Sequence, residues 1–206
     1  ALYGANAMNG ILLMNSKSPF DHQGISGQLK RGVTSQDAAG DNEFKDFQIR
    51  WGHKFSDKLA AKVNYAFLEG TDWIANNYED RFRRNISRDH YGYDGVNIYG
   101  DEVATDLRSA AQAAFAAGAL PADLSNLIPS VTVSRTGYKE IDLTDYEAES
   151  KKADWGVYYR PFADDLEFSY VGKWGTGQTV YQGANRYAIE NFLMTQHKLE
   201  AKNNNF

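Results

Sequence analysis

Residues 47–67 read Phe47-Gln48-Ile49-Arg50-Trp51-Gly52-His53-Lys54-Phe55-Ser56-Asp57-Lys58-Leu59-Ala60-Ala61-Lys62-Val63-Asn64-Tyr65-Ala66-Phe67. Phe47, Ile49, Trp51, His53 and Phe55 take alternate positions, with Gln48, Arg50, Gly52 and Lys54 between them. After Ser56-Asp57-Lys58 the alternation resumes, with Leu59, Ala61, Val63, Tyr65 and Phe67 set against Ala60, Lys62, Asn64 and Ala66. Side chains along a strand point alternately to two faces, so a period of two predicts two strands. The short polar segment between them predicts a tight turn, and the whole stretch is a hairpin.

The same period recurs outward from it. Ile25, Gly27, Leu29, Arg31 and Val33 share a face opposite Ser26, Gln28 and Lys30, with Arg31 out of place on an apolar face. Residues 34–42 read as a polar loop with Gly40-Asp41-Asn42. Ala153, Trp155, Val157 and Tyr159 oppose Asp154, Gly156, Tyr158 and Arg160, and Pro161 to Asp165 reads as a second tight turn. Leu166, Phe168, Tyr170, Gly172 and Trp174 oppose Glu167, Ser169, Val171 and Lys173. A loop is expected from Gly175 to Arg186. A last strand follows, with Ile189, Leu193, Thr195, His197 and Leu199 on one face and Glu190, Met194, Gln196, Lys198 and Glu200 on the other.

Residues 69–150 break the period and are rich in Tyr, Asp, Asn and Arg. Within them Val103, Leu107, Ala110, Ala111, Ala114 and Phe115 recur at three- and four-residue spacing, which predicts one helix over Asp101 to Ala117, stopped by Gly118 and Pro121. An insertion of this length is a functional loop more often than filler. The expectation is an all-β chain with six long strands of roughly 9–12 residues, near what a tilted strand needs to cross a bilayer. Short turns near 57 and 163 alternate with longer connections near 38, 110 and 180.

Composition narrows the class. The chain has 206 residues, a formal net charge of −5 and no cysteine. Disulfides and thiolate metal sites are excluded, and nothing attracts nucleic acid. Aromatics reach 14%, high for a water-soluble domain and typical of strands with aromatic belts. No apolar run approaches the roughly 18–20 residues of a spanning helix, and mean hydropathy is −0.57. Hydropathy is blind to barrels, whose strands are only half apolar.

The opening stretch adds a second signal. Tyr3-Gly4, Asn6-Ala7 and Asn9-Gly10 form a glycine-punctuated turn that feeds the apolar run Ile11 to Met14, closed by Lys17-Ser18-Pro19. This pattern resembles the end of the plug domain of TonB-dependent outer-membrane receptors. Met8, Leu13, Met14 and Ser16 depart mildly from it. Lys152-Ala153-Asp154-Trp155, Tyr158-Tyr159-Arg160, the run Asp165 to Tyr170 and the run Tyr181 to Tyr187 are similar to the early barrel of receptors for iron or siderophores.

The resemblance implies a plug end at 1–19 and the first strands of a transmembrane antiparallel β-barrel at 20–206. The six strands would be an open part of a barrel of about 22 strands, with a long extracellular loop over 75–150. It implies a bacterial outer-membrane location and partners in outer-membrane lipid and in the TonB complex, the latter through an N-terminal region outside this chain. It also implies import of a scarce small-molecule ligand, first a ferric siderophore or related chelate. A SusC-like glycan importer is the second reading. A soluble or surface β-sheet binding module, of sandwich type, is the third. Six strands alone cannot close such a barrel, so transport is expected only from a longer protein.

Candidate residues follow from both arguments. Tyr3, Gly4, Asn6, Asn9 and Gly10 carry the plug-end motif. Arg81, Arg83 and Arg84 could meet an anionic ligand, because guanidinium pairs well with carboxylate and phosphate oxygens. Contact with lipopolysaccharide phosphates, or with loop acids such as Glu79 and Asp80, is the favoured reading of the triplet. Tyr181, Asn185, Arg186 and Tyr187 sit at a strand start, where they could touch ligand or anchor the loop. Asp89, Asp94 and Asn97 could offer oxygens to Ca²⁺, but their spacing misses the EF-hand pattern and favours solvated loop groups. Arg50, Lys62, Glu167, Lys173 and Lys198 are expected on the wet face. The four histidines are scattered and no nucleophile elbow is present, so neither a resident metal, nor a cofactor, nor an enzyme is expected.

Overall fold

The computed structural model describes residues 16–120, 125–162, 166–182 and 186–203. The plug-end motif, the run Ile11 to Met14, Pro121, Asn185 and most of the turn at Pro161 to Asp165 lie outside these residues. The chain is mostly β. In order come β1 (Gly24–Gln36), β2 (Gly40–Lys54), β3 (Leu59–Thr71), β4 (Ile98–Tyr99), β5 (Ala104–Asp106), α1 (Leu107–Ala116), β6 (Thr132–Ser134), β7 (Tyr138–Lys139), β8 (Glu147–Tyr159), β9 (Leu166–Gln182) and β10 (Arg186–Asn203). The six long strands form one antiparallel sheet in the order β1-β2-β3-β8-β9-β10. Each neighbour in space is the next long strand in sequence, so the sheet is a meander. Among the described residues the sheet is open, with β1 and β10 at its edges.

The alternation read from the sequence holds across all five ladders. Ile25 lies opposite Trp51, Trp51 opposite Val63, Val63 opposite Trp155, Trp155 opposite Gly172 and Gly172 opposite His197. Two rows higher or lower on the same face the partners are again apolar, as in Leu29–Phe47–Phe67 and Leu59–Tyr159–Phe168. The opposite face reads Ser26–Arg50–Asn64–Asp154–Lys173–Gln196. Register thus sorts the sheet into one apolar and one polar face.

The apolar face is exposed, and the polar face is buried only where residues 16–22 lie over it. On the apolar face Leu199 is 83% exposed and Ile25 74%, whereas Lys62, on the polar face, is only 4% exposed. The polar face is covered near one end by residues 16–22. Lys62 Nζ donates to the Lys17 carbonyl at 2.9 Å and to the Ser16 hydroxyl. Arg50 donates to the His22 carbonyl at 2.8 Å, and the Arg160 guanidinium lies 4.0 Å from the Phe20 ring centroid. A second small core lies inside the insertion, where Tyr93, Ile98 and Tyr146 are buried.

Several boundaries differ from expectation. The strands have 13 to 18 residues, longer than the period alone suggested. The loop expected at 34–42 shrinks to a turn, because Thr34, Ser35 and Gln36 pair with Asn42, Asp41 and Gly40. Gly40 at φ +69 turns the chain there. The loop expected from Gly175 to Arg186 is also strand, since Tyr181 pairs with Tyr187 and Thr179 with Ile189. Strand β8 begins at Glu147 rather than Lys152. Polar residues hide these extensions, because both faces of a strand end can be wet and the period of two is then lost. One long connection, residues 72–146, therefore remains where three were expected.

The helix is shorter than expected. Asp101 is buried and accepts from the Gly95 N–H at 2.6 Å, and residues 104–106 pair with Thr132–Ser134. The helix starts only after Asp106, whose carboxylate caps Ser109 N at 2.8 Å. It stops at Gly118 as expected. Gly118 takes φ +74 and donates to Phe115 O, while Ala119 N reaches back to Ala114 O.

In β10 two residues, Glu190 and Asn191, are accommodated between the pairs Ile189–Thr179 and Phe192–Gly177. Asn191 adopts φ +52. This bulge inverts the alternation. Ile189 consequently lies on the polar face, not with Leu193 as its spacing suggested.

Candidate functional site

The insertion is fixed to the sheet at the outer ends of β9 and β10. Asp72, just past β3, accepts from the Thr179 hydroxyl at 2.8 Å and from Val180 N at 2.7 Å. Gln36, at the end of β1, bonds both Asp72 O and Ile74 N. Arg186 opens β10. Its Nε donates to Glu140 at 2.6 Å and its Nη2 to the Trp73 carbonyl at 2.8 Å.

Glu140 gathers this junction. It is 4% exposed, and it accepts from Arg186, from the Tyr99 hydroxyl at 2.5 Å and from the Tyr146 hydroxyl at 2.9 Å. A carboxylate is costly to bury unless its oxygens are paired, and these three donors meet that condition. Burial and the adjacent Glu140 carboxylate push both phenols above their usual range. Arg186 therefore anchors the insertion, one of the two roles its sequence position left open.

The arginine triplet divides in a similar way. Arg84 forks onto Asp80, Nε to Oδ2 at 3.0 Å and Nη2 to Oδ1 at 2.6 Å, and it also reaches the Gly92 carbonyl. The Arg84 guanidinium, opposed by burial and helped by two backbone N–H groups, holds the Asp80 carboxyl far below the usual carboxylate range. Arg84 thus meets a loop acid. Arg81 extends into solvent with Asp94 4.0 Å away. Arg83 takes φ +55. Arg81 and Arg83 are both exposed.

Tyr181 and Tyr187 stack across the β9–β10 ladder with centroids 6.5 Å apart, both more than half exposed. Trp73, held to Arg186 through its backbone, is also exposed. The junction thus presents an aromatic rim above a buried polar clamp. Of the residues considered for Ca²⁺, Asp94 lies 4.0 Å from Arg81. Asn97 accepts from Asn77 N, and no group of acids or histidines able to hold a metal exists among the described residues. Arg50, Lys62, Glu167, Lys173 and Lys198 all carry polar-face register, as expected.

The clamp acid Glu140 was invisible in the sequence. It lies in an aperiodic stretch 46 positions from Arg186, and no local spacing links the two. No family model, curated protein or solved structure matches this chain.

Proposed function

We propose that this chain is part of a TonB-dependent outer-membrane transporter that binds and imports a scarce solute, a ferric siderophore in the first instance. One observation carries the reading: an apolar face, continuous in register over six strands, is left exposed, while the charged face is the one that residues 16–22 cover at one end. Water-soluble proteins rarely expose apolar patches beyond a few hundred Å². A hydrocarbon environment reverses the ordinary sorting, with apolar side chains outward and charged ones toward a wet or plugged interior. The segment 16–22, lying on the charged face, is where a chain leaving a plug would enter the wall.

In this reading the open edges β1 and β10 pair with further strands, since an unpaired edge cannot face lipid. Residues 72–146 and the aromatic rim lie on the outer side, where solute arrives. Uptake is energised through a plug and a TonB contact that lie outside the described residues.

The test is electrophoretic mobility of the native protein from membranes, cold against boiled in SDS. Closed barrels resist cold SDS because every strand edge is paired. A shift on boiling is expected. A soluble protein with no shift would overturn the membrane reading and favour a β-sheet binding module.

A further inference from the structure

The charged face of the sheet contains an apolar interruption at the β8–β10 end. Along β3, β8, β9 and β10 the row Leu68–Ser150–Gly177–Phe192 follows the row Ala66–Lys152–Gly175–Met194. Leu68, Phe192 and Met194 stand where neighbouring rows carry Asn64, Asp154, Lys173 and Gln196. The β10 bulge brings Ile189 onto the same side. Gly175 and Gly177 contribute no side chain, so the surface sinks between the apolar walls. The result is an open hollow of about 600 Å³, within the range of small-molecule sites.

Its edge carries Lys152 and Lys173 together with Asp154 and Glu149, the last paired with Lys151 at 2.7 Å. Lys152 and Lys173 both line the hollow, on adjacent strands and diagonal in register, hence roughly 7–8 Å apart at Cα. Neither forms an ion pair or hydrogen bond among the described residues. Asp154, directly across from Lys173, turns instead to Asn64, whose amide donates to it at 2.5 Å. Phe192 and Met194 are each about half exposed. An apolar floor with two uncommitted ammonium groups at its edge is complementary to a molecule with an apolar body and an anionic head.

We propose that this hollow binds a small amphipathic carboxylate, its hydrocarbon or aryl part against Leu68, Ile189, Phe192 and Met194 and its carboxylate between Lys152 and Lys173. The site is separate from the Glu140–Arg186 junction, and it stands on sheet geometry whether or not the sheet belongs to a transporter.

The probe is 2-naphthoate, titrated calorimetrically into the purified full chain in non-ionic detergent, with 2-naphthamide as the neutral counterpart. Saturable binding of the acid is expected, with the amide at least about tenfold weaker, the loss of one charge contact of about 1.4 kcal/mol. The double variant Lys152→Gln with Lys173→Gln should bring acid and amide to equal affinity. Gly175→Leu should abolish both. A Cβ at Gly175 would meet only Lys151 O and Lys152 Cγ, each at 3.7 Å, so the backbone tolerates the side chain and the hollow fills. The acid–amide comparison on the unaltered protein needs no variant to fold. Absence of saturable binding, the outcome if another part of the protein fills the hollow, overturns the proposal. So does equal partition of acid and amide, or binding indifferent to Gly175→Leu. The membrane reading is tested separately by the boiling shift, so either can fail alone.

Discussion

Single side chains decide how firmly the insertion is held. Glu140 is buried with Arg186 as its only cationic partner among the described residues, and removing one member of a buried pair leaves an uncompensated charge. Arg186→Ala is therefore expected to loosen residues 138–147 by about 3 kcal/mol. Hydrogen exchange of the amides around Glu140 would show faster opening there, with β2 and β3 unchanged. Protection equal to the unaltered protein would mean that Tyr99 and Tyr146 suffice.

Asp80 makes a pH-dependent contribution whose sign is fixed by its depressed pKa. The folded insertion holds the deprotonated form, so its stabilisation is present above the ordinary carboxylate pKa of 3.8 and is lost as pH falls through the lower folded value. Near-ultraviolet circular dichroism from the buried Tyr93 should stay constant down to about pH 4 and change only on further acidification. Asp80→Asn should remove that transition and lower the signal at neutral pH. A change centred above pH 5 would point to another group.

Among the elements, β10 carries the most information. Its bulge sets which side chains at the hairpin end face the polar surface and which face away, and Asn191 supplies the left-handed residue it needs. A β-branched residue there pays about 1–2 kcal/mol in backbone strain, whereas glycine and aspartate do not. Asn191→Val should therefore lower the thermal midpoint and Asn191→Gly should leave it nearly unchanged. Deleting Asn191 is a different experiment. It restores unbroken alternation, so Arg186 to Ile189 turn over, Arg186 leaves Glu140 and Tyr187 leaves Tyr181. Hydrogen exchange of that variant should resemble Arg186→Ala around Glu140.

For the whole molecule, the two faces of one strand should respond oppositely to charge. Val63 is on the apolar face and Ala66 on the polar face, where its cross-strand partner is Lys152. In a bilayer Val63→Arg costs about 2–4 kcal/mol near the midplane, while Ala66→Glu gains an opposite charge across the ladder. The expected outcome is loss of the heat-shifted band for Val63→Arg and its retention for Ala66→Glu. Equal behaviour of the two would argue for water on both faces.

What the sequence by itself determined is the long-strand architecture. Six alternating stretches predict six strands, and the short linkers near 57 and 163 predict two tight hairpins, because a period of two and a tight turn are local properties of the chain. The helix stop at Gly118 is local in the same sense. The tertiary structure alone decided the rest. Strand ends that are polar on both sides carry no period, so β1, β8 and β9 proved longer than their alternation. The bulge at Asn191 changes faces without changing composition, and only the register across β9 reveals it. The Glu140–Arg186 clamp and the hollow beside Lys152 and Lys173 join residues far apart in the chain. Such sites depend on which rows of which strands come level, and that is fixed by pairing between strands rather than by any one stretch of sequence.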